Sequence, residues 1–212
     1  MKNLLILTLV LSSATLFAQT NRTNGNASAV SSNMVVAANS NNAFGAATVF
    51  FNPERKADGS VHLFKGWNNT GVILTTDNQK FSIKNVNLNL ERNVFESKIG
   101  QDSLFTFNFN NIERFLVNGK IFKNYYYDGE NRVFQETYNG GNFQILKGYK
   151  VTLVKGSANP MLNRSTDKYI QKEFYYIRQN DLISPFKLKK KSLMKLVDES
   201  EAKKIIAYVK KQ

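Results

Sequence analysis

The chain has 212 residues, with 29 Lys and Arg, 16 Asp and Glu, one His and no Cys, giving a net charge of +13. At this length a core forms without covalent staples, and 42% apolar with 21% charged residues fits neither a disordered nor a membrane-embedded chain. The lack of Cys excludes disulfides, thiolate metal sites and cysteine nucleophiles, and the solitary His excludes nearly every histidine-based catalytic or metal constellation.

Met1-Lys2-Asn3 opens the chain, an apolar run follows from Leu4 to Leu11, and Ala18-Gln19 offers a small-residue cleavage junction. Residues 1–18 therefore read as a secretory signal peptide. The apolar run is far shorter than the roughly 20 residues that span a bilayer, and no later segment is long and apolar enough. The expected mature protein is exported to the periplasm, the cell surface or the medium, with no transmembrane segment. Residues 19–47 carry seven Asn between Asn21 and Asn42, and no acidic residue occurs before Glu54. Such small polar side chains do not offset the entropy of ordering, so a flexible Asn-rich linker is expected here.

Residues 48–212 are expected to form a single β-rich domain. Val61–Trp67 reads as a short strand, turned by Asn68-Asn69-Thr70-Gly71 and returning over Val72–Thr76. Phe81 and Ile83 alternate with polar residues, and Val86, Leu88 and Leu90 alternate with Asn85, Asn87 and Asn89. The phase slips between Ile83 and Val86, which predicts a bulge or bend. Val94–Ile99 follows, and Phe105, Phe107 and Phe109 mark a half-buried strand. Further strands are predicted at Arg114–Val117, Ile121–Tyr127, Arg132–Tyr138, Phe143–Val154 and Tyr169–Arg178. Their turns are Asn118-Gly119, Asp128-Gly129 and Gly140-Gly141, and Pro160 and Pro185 punctuate the C-terminal part. The ending, about 189–211, is expected to be helical: a turn and a half over Lys190–Val197, then a helix with Asp198 as N-cap and Glu201 three residues on. Ala202, Ile205, Ile206 and Val209 share its apolar face. The expected fold is mainly β: an antiparallel meander forming a barrel or open sandwich, with the C-terminal helix packed on it.

The C-terminal half carries a recognisable succession: Gln144-Ile145-Leu146-Lys147, Asn159-Pro160-Met161, Asp167-Lys168-Tyr169-Ile170, Tyr175-Tyr176-Ile177, then Lys189 to Leu196 and Ile205 to Lys210. It resembles small secreted Bacteroidota-type proteins of uncharacterised function, with a signal peptide, a β-rich body and a Lys-rich strand-to-helix ending. The resemblance covers roughly residues 60–212. It implies location and architecture and no activity.

No catalytic constellation is legible. His62 alternates with Val61 and Leu63 and reads as a surface or edge histidine. Glu91, Glu96, Asp102 and Glu113 are the carboxylates that paired hydrolytic chemistry would need. Glu91 lies beside Arg92, Glu96 near Lys98 and Glu113 beside Arg114, so they read as solvated ion pairs. Asp77-Asn78 and Asp128-Gly129 lack the twelve-residue calcium-loop spacing and read as turns. Neither a cofactor nor a metal is expected, and the chain reads as a non-enzymatic protein. Asp102-Ser103-Leu104 matches a short O-glycosylation pattern of exported Bacteroidota proteins, which makes Ser103 a candidate acceptor.

The most distinctive feature is charge placement. From Lys147 onward there are 16 Lys and Arg against 6 Asp and Glu. Lys187, Lys189, Lys190 and Lys191 form the densest run and are the candidate contact surface. For an exported protein nucleic acid is a poor partner; an anionic envelope polymer, lipid headgroups or another envelope protein fit better. Tyr125-Tyr126-Tyr127 and Tyr175-Tyr176 suggest a carbohydrate platform, although strand alternation turns part of each group toward the core. The expected function is therefore an envelope binding or structural protein. The alternative is a carrier of a small apolar ligand in a β-barrel cavity.

Overall fold

The computed structural model describes residues 45–49, 57–100, 103–156 and 166–212, the first stretch as backbone alone. In chain order the strands are β1 Gly45–Val49, β2 Ala57–Asp58, β3 Thr70–Thr75, β4 Lys80–Lys84, β5 Val86–Asn89, β6 Val94–Lys98 and β7 Ser103–Phe107. They continue with β8 Ile112–Val117, β9 Lys120–Tyr127, β10 Glu130–Asn139, β11 Gln144–Val154, β12 Asp167–Gln179 and β13 Leu182–Phe186. Two helices close the chain, α1 Lys190–Leu193 and α2 Glu199–Val209. The expected signal peptide, most of the expected linker, Asp102 and the Asn159–Asn163 loop lie outside the described residues. β1 starts at Gly45 and so straddles the expected boundary at 47.

The strands form two open sheets. The larger runs β13-β12-β11-β10-β9-β8-β3-β4, with β2 joined to β12, and the smaller runs β1-β7-β6-β5. Pairing is antiparallel except for the short β2–β12 contact. β8 to β13 are an uninterrupted meander, and the sandwich rather than the barrel is the form realised.

The turns follow from residues that tolerate a left-handed backbone. Six Asn and two Asp have positive φ, each at or beside a turn or strand junction. Asn118-Gly119 (φ +50° and +77°) and Asp128-Gly129 (φ +55° and +84°) make the two-residue hairpins predicted for β8–β9 and β9–β10. The phase slip between Ile83 and Val86 is neither a bulge nor a bend within one sheet. At Asn85 (φ +51°) the chain leaves β4 in the larger sheet and enters β5 in the smaller.

Two strand expectations are corrected. Val61–Trp67 is not a strand; it makes one isolated bridge, His62 to Asn89. It is held largely by Asn87, whose side chain accepts from Phe64 N at 3.0 Å and donates to Phe64 O and Gly66 O at 2.9 Å. Asn87 is therefore buried, and β5 is covered on both sides rather than polar on one. The second correction is β13, absent from the expected strands and containing Pro185. The strand is at the sheet edge, where a missing N–H is tolerated. Asn180-Asp181, both at positive φ, supply its hairpin turn from β12.

One row across the larger sheet shows how the core is organised. Phe81, Ile73, Phe115, Phe122, Gln135, Lys147, Tyr175 and Phe186 are successive cross-strand neighbours. At the first end the smaller sheet packs on this face, burying Val86, Leu88, Phe95, Phe105 and Phe107 against Ile73, Phe115 and Phe122. Phe95 stacks on Phe115 at 4.2 Å, and Phe107, Phe109 and Phe122 pack edge-on around them. Such pairs add about 0.5–1.5 kcal/mol each beyond the burial of their area.

At the other end the helices form a second cluster with Phe143, Ile145, Leu193, Ala202, Ile205 and Val209. The helical reading holds: the short piece expected over Lys190–Val197 is α1, a single turn, and the helix expected after Asp198 is α2. The Asp198 side chain accepts from Glu201 N at 2.8 Å, the expected cap. Gln135 and Lys147 separate the two clusters as a buried polar seam. Tyr149 Oη donates to Gln135 Oε1, and Lys147 Nζ meets Glu173 Oε2 at 3.4 Å. Burial pushes the Tyr149 phenol well above its ordinary range.

Candidate functional site

Lys187, Lys189, Lys190 and Lys191 fall where β13 passes into α1, and all four are exposed. The intervening Leu188 turns inward and packs on the helical cluster, which places Lys187 and Lys189 outward together. The four lysines are not equivalent. Lys190 Nζ bonds Glu199 Oε1, and Lys203 Nζ reaches the same oxygen at 3.0 Å. These two ammonium groups hold the exposed Glu199 carboxyl below its usual range. Among the described residues no carboxylate pairs with Lys187, Lys189 or Lys191. The buried stripe of α2 fixes Lys204 and Lys210 on its outer side as well, so the cap presents lysines on a firmly packed support. Lys147, where the basic third of the sequence begins, is only 6% exposed and does not belong to this surface.

The second polar site contradicts the solvated reading of Glu96. Its side chain is 1% exposed, and its partner is not Lys98. Oε2 meets His62 Nε2 at 2.8 Å, while Oε1 accepts from Arg92 Nη1 at 2.8 Å and Asn89 Nδ2 at 3.1 Å. A carboxylate only accepts, so His62 Nε2 carries the proton in this contact. His62 is thus no free edge histidine: its ring also packs edge-on to Trp67 at 4.6 Å. Its other nitrogen lies 3.4 Å from Ser60 Oγ. The order Ser60, His62, Glu96 superficially matches a nucleophile–base–acid chain. Yet Ser60 Oγ accepts the His62 amide at 3.0 Å, a local turn contact, and the Glu96 carboxylate is already bonded by three donors. The arrangement works as a clamp. It ties segment 57–67 to the smaller sheet, while Gln171 Nε2 of β12 donates to His62 O at 2.7 Å and Ser60 O at 3.1 Å. Sequence spacing left one trace of this, Arg92 four residues before Glu96; the distance from His62 to Glu96, 34 positions, has no local signal.

Among the described residues the remaining candidate carboxylates, Glu91 and Glu113, do not converge with another. Glu113 and Arg114 form the expected exposed pair at 3.6 Å, and Glu91 is exposed. Ser103 is half-buried at the start of β7. Alternation divides Tyr175-Tyr176 as expected, whereas Tyr125-Tyr126-Tyr127 turns no ring into either core cluster. Tyr125, Tyr127 and Tyr176 gather on the outer face of the larger sheet around Phe134, with ring centroids 5.2–6.3 Å from it. Arg178 lies over Tyr125 at 4.7 Å, and burial pushes the Tyr125 phenol up to about 12. These rings cover Phe134, 2% exposed, and pack chiefly on one another. Tyr175 turns to the helical cluster, whereas Tyr126 is 73% exposed. The phenyl rings fill the space between the sheets; a groove of about 410 Å³ beside Gly71, Val72, Ser82 and Leu116 opens outward. Comparison with protein-family models, with curated proteins and with solved structures finds no match to this chain.

Proposed function

We propose that the protein is an exported, non-enzymatic binding protein of the bacterial envelope, which holds anionic surface polymers through the basic outer side of its helical cap. One observation carries this reading: Lys187, Lys189 and Lys191 are exposed on packed backbone and have no carboxylate partner among the described residues. Lysines held in this way concentrate positive potential without the cost of ordering a loose tail. The signal-peptide pattern of residues 1–18 supports export, and the resemblance to secreted Bacteroidota-type proteins supports the envelope. The phenyl-filled interior supports a solid binding module over a hollow carrier.

Retention on immobilised dextran sulfate in a salt gradient tests the proposal. The wild-type chain elutes at higher salt than the Lys187→Glu, Lys189→Glu, Lys191→Glu variant. Lys190→Gln, which removes a lysine already bonded to Glu199, shifts elution little. Unchanged retention of the triple variant would overturn the reading.

A further inference from the structure

β11 and β12 outrun their neighbours. Pairing of β11 with β10 ends at Lys147, and pairing of β12 with β13 ends at Tyr175. Beyond that point residues 148–154 and 168–174 continue as a two-stranded ribbon about 20 Å long. β2 and the Gln171 contacts to Ser60 and His62 hold it to segment 57–62.

Register sorts the ribbon's side chains. Val154 with Lys168, Thr152 with Ile170, Lys150 with Lys172, and Gly148 with Phe174 share one face. This is the same face as Leu146 and Tyr176, opposite to the face that carries Ile145 and the helices. Every side chain from Lys150 to Val154 and from Lys168 to Phe174 on that face is exposed. Val154 is 46%, Ile170 37% and Phe174 43% exposed.

The charges there are predominantly positive, three lysines against Asp58. Lys150 and Lys172 are direct cross-strand partners, a placement in which like charges repel. Lys168 joins them, beside Asp58, its register partner on β2 and the one carboxylate that the described residues place on this face; Glu173 points to the other side and pairs with Lys147. Among the described residues no carboxylate pairs with Lys150 or Lys172, so an anion from outside the chain would relieve their repulsion. Lysines alternating with Val154, Ile170 and Phe174 select among anions. A hydrated polysaccharide stacks at most on the Phe174 ring and leaves Val154 and Ile170 in water. A phospholipid surface takes them into its interface while the lysines reach the headgroups.

We propose that this ribbon face is a contact site for anionic phospholipid surfaces. The site rests on the same reading of the protein as a binder of anionic surfaces, but it is separate from the lysines of the helical cap.

The test is flotation of the full chain with vesicles of phosphatidylcholine alone or with phosphatidylglycerol, alongside dextran sulfate retention. The wild type floats only with the phosphatidylglycerol vesicles. Lys150→Glu replaces a repelling pair with an attracting one, so the ribbon is not weakened, yet with Lys168→Glu added the vesicle partition falls by about tenfold or more. Ile170→Ser with Phe174→Ser lowers vesicle partition several-fold and leaves dextran sulfate retention unchanged. Substitution of the cap lysines does the reverse. The proposal is overturned if the wild type does not float, if it floats equally without phosphatidylglycerol, or if the ribbon variants float like the wild type. It is also overturned if the serine variant loses dextran sulfate retention in proportion. The envelope-polymer reading fails separately, through the cap lysines alone.

Discussion

Glu96 offers the most searching test of the structure. Its carboxylate is 1% exposed and receives three donors, from His62, Arg92 and Asn89. Glu96→Ala leaves the Asn89 amide and His62 Nε2–H without an acceptor and opens a void. One-sided removal of a buried ionic partner costs about 3–5 kcal/mol, and that range is expected here. Glu96→Gln keeps the volume and loses the charge. Its amide oxygen still accepts from Asn89 and Arg92, and its NH₂ faces His62, whose ring accepts if the proton moves to Nδ1, beside Ser60 Oγ. The expected cost is therefore smaller, about 1–3 kcal/mol, the worth of hydrogen bonds to a charged group. Arg92→Ala is expected in the lower part of that range, because Arg92 is 40% exposed and solvent screens its side of the pair. Urea unfolding at neutral pH measures all three, read from midpoints at unchanged slope. A His62→Ala, Glu96→Ala double-mutant cycle isolates the His62 contact. If Glu96→Ala costs less than about 0.5 kcal/mol, as surface substitutions do, the clamp has no energetic role and the argument fails.

Two further outcomes follow from the outer face. A Cβ at Gly148 would lie 2.8 Å from Tyr176 Cε2 and 3.2 Å from Phe134 Cε1. Gly148→Ala is expected to destabilise by about 1–3 kcal/mol through overpacking, and a Tyr176→Ala background should remove most of that cost in chemical unfolding. Tyr125 has its phenol raised from 10.0 to about 12, chiefly by burial, so between those values the folded chain binds more protons than the unfolded one. Stability should then fall as pH rises from about 10 to 12. Tyr125→Phe should flatten that decline in unfolding midpoints recorded across the interval, and an unaltered slope would contradict the buried placement of the ring.

Sequence alone determined what depends on near neighbours. Period-two alternation marked β7 at Phe105 and Phe107, because a strand sets successive side chains on opposite faces. Asn-Gly and Asp-Gly marked two hairpins, because few other residues accept their dihedral angles. Asp198 marked the start of α2 through a bond closed within three residues. The +13 charge and its concentration in the C-terminal third were equally legible.

Tertiary structure decided whatever depends on long-range pairing. The slip at Asn85 was visible, but whether it bent one sheet or joined two rested on the partners of β5. Asn87 alternated like a solvent-facing residue and is buried, because segment 61–66 supplies its partners from over 20 positions away. Glu96 and Lys147 counted as ordinary surface charges, yet the fold enclosed one in a clamp and set the other in a polar seam. Lys190 was likewise one of four in a run until α2 folded back and brought Glu199 to it. Charge is a property of composition, but exposure and pairing are properties of packing, and binding draws on the latter.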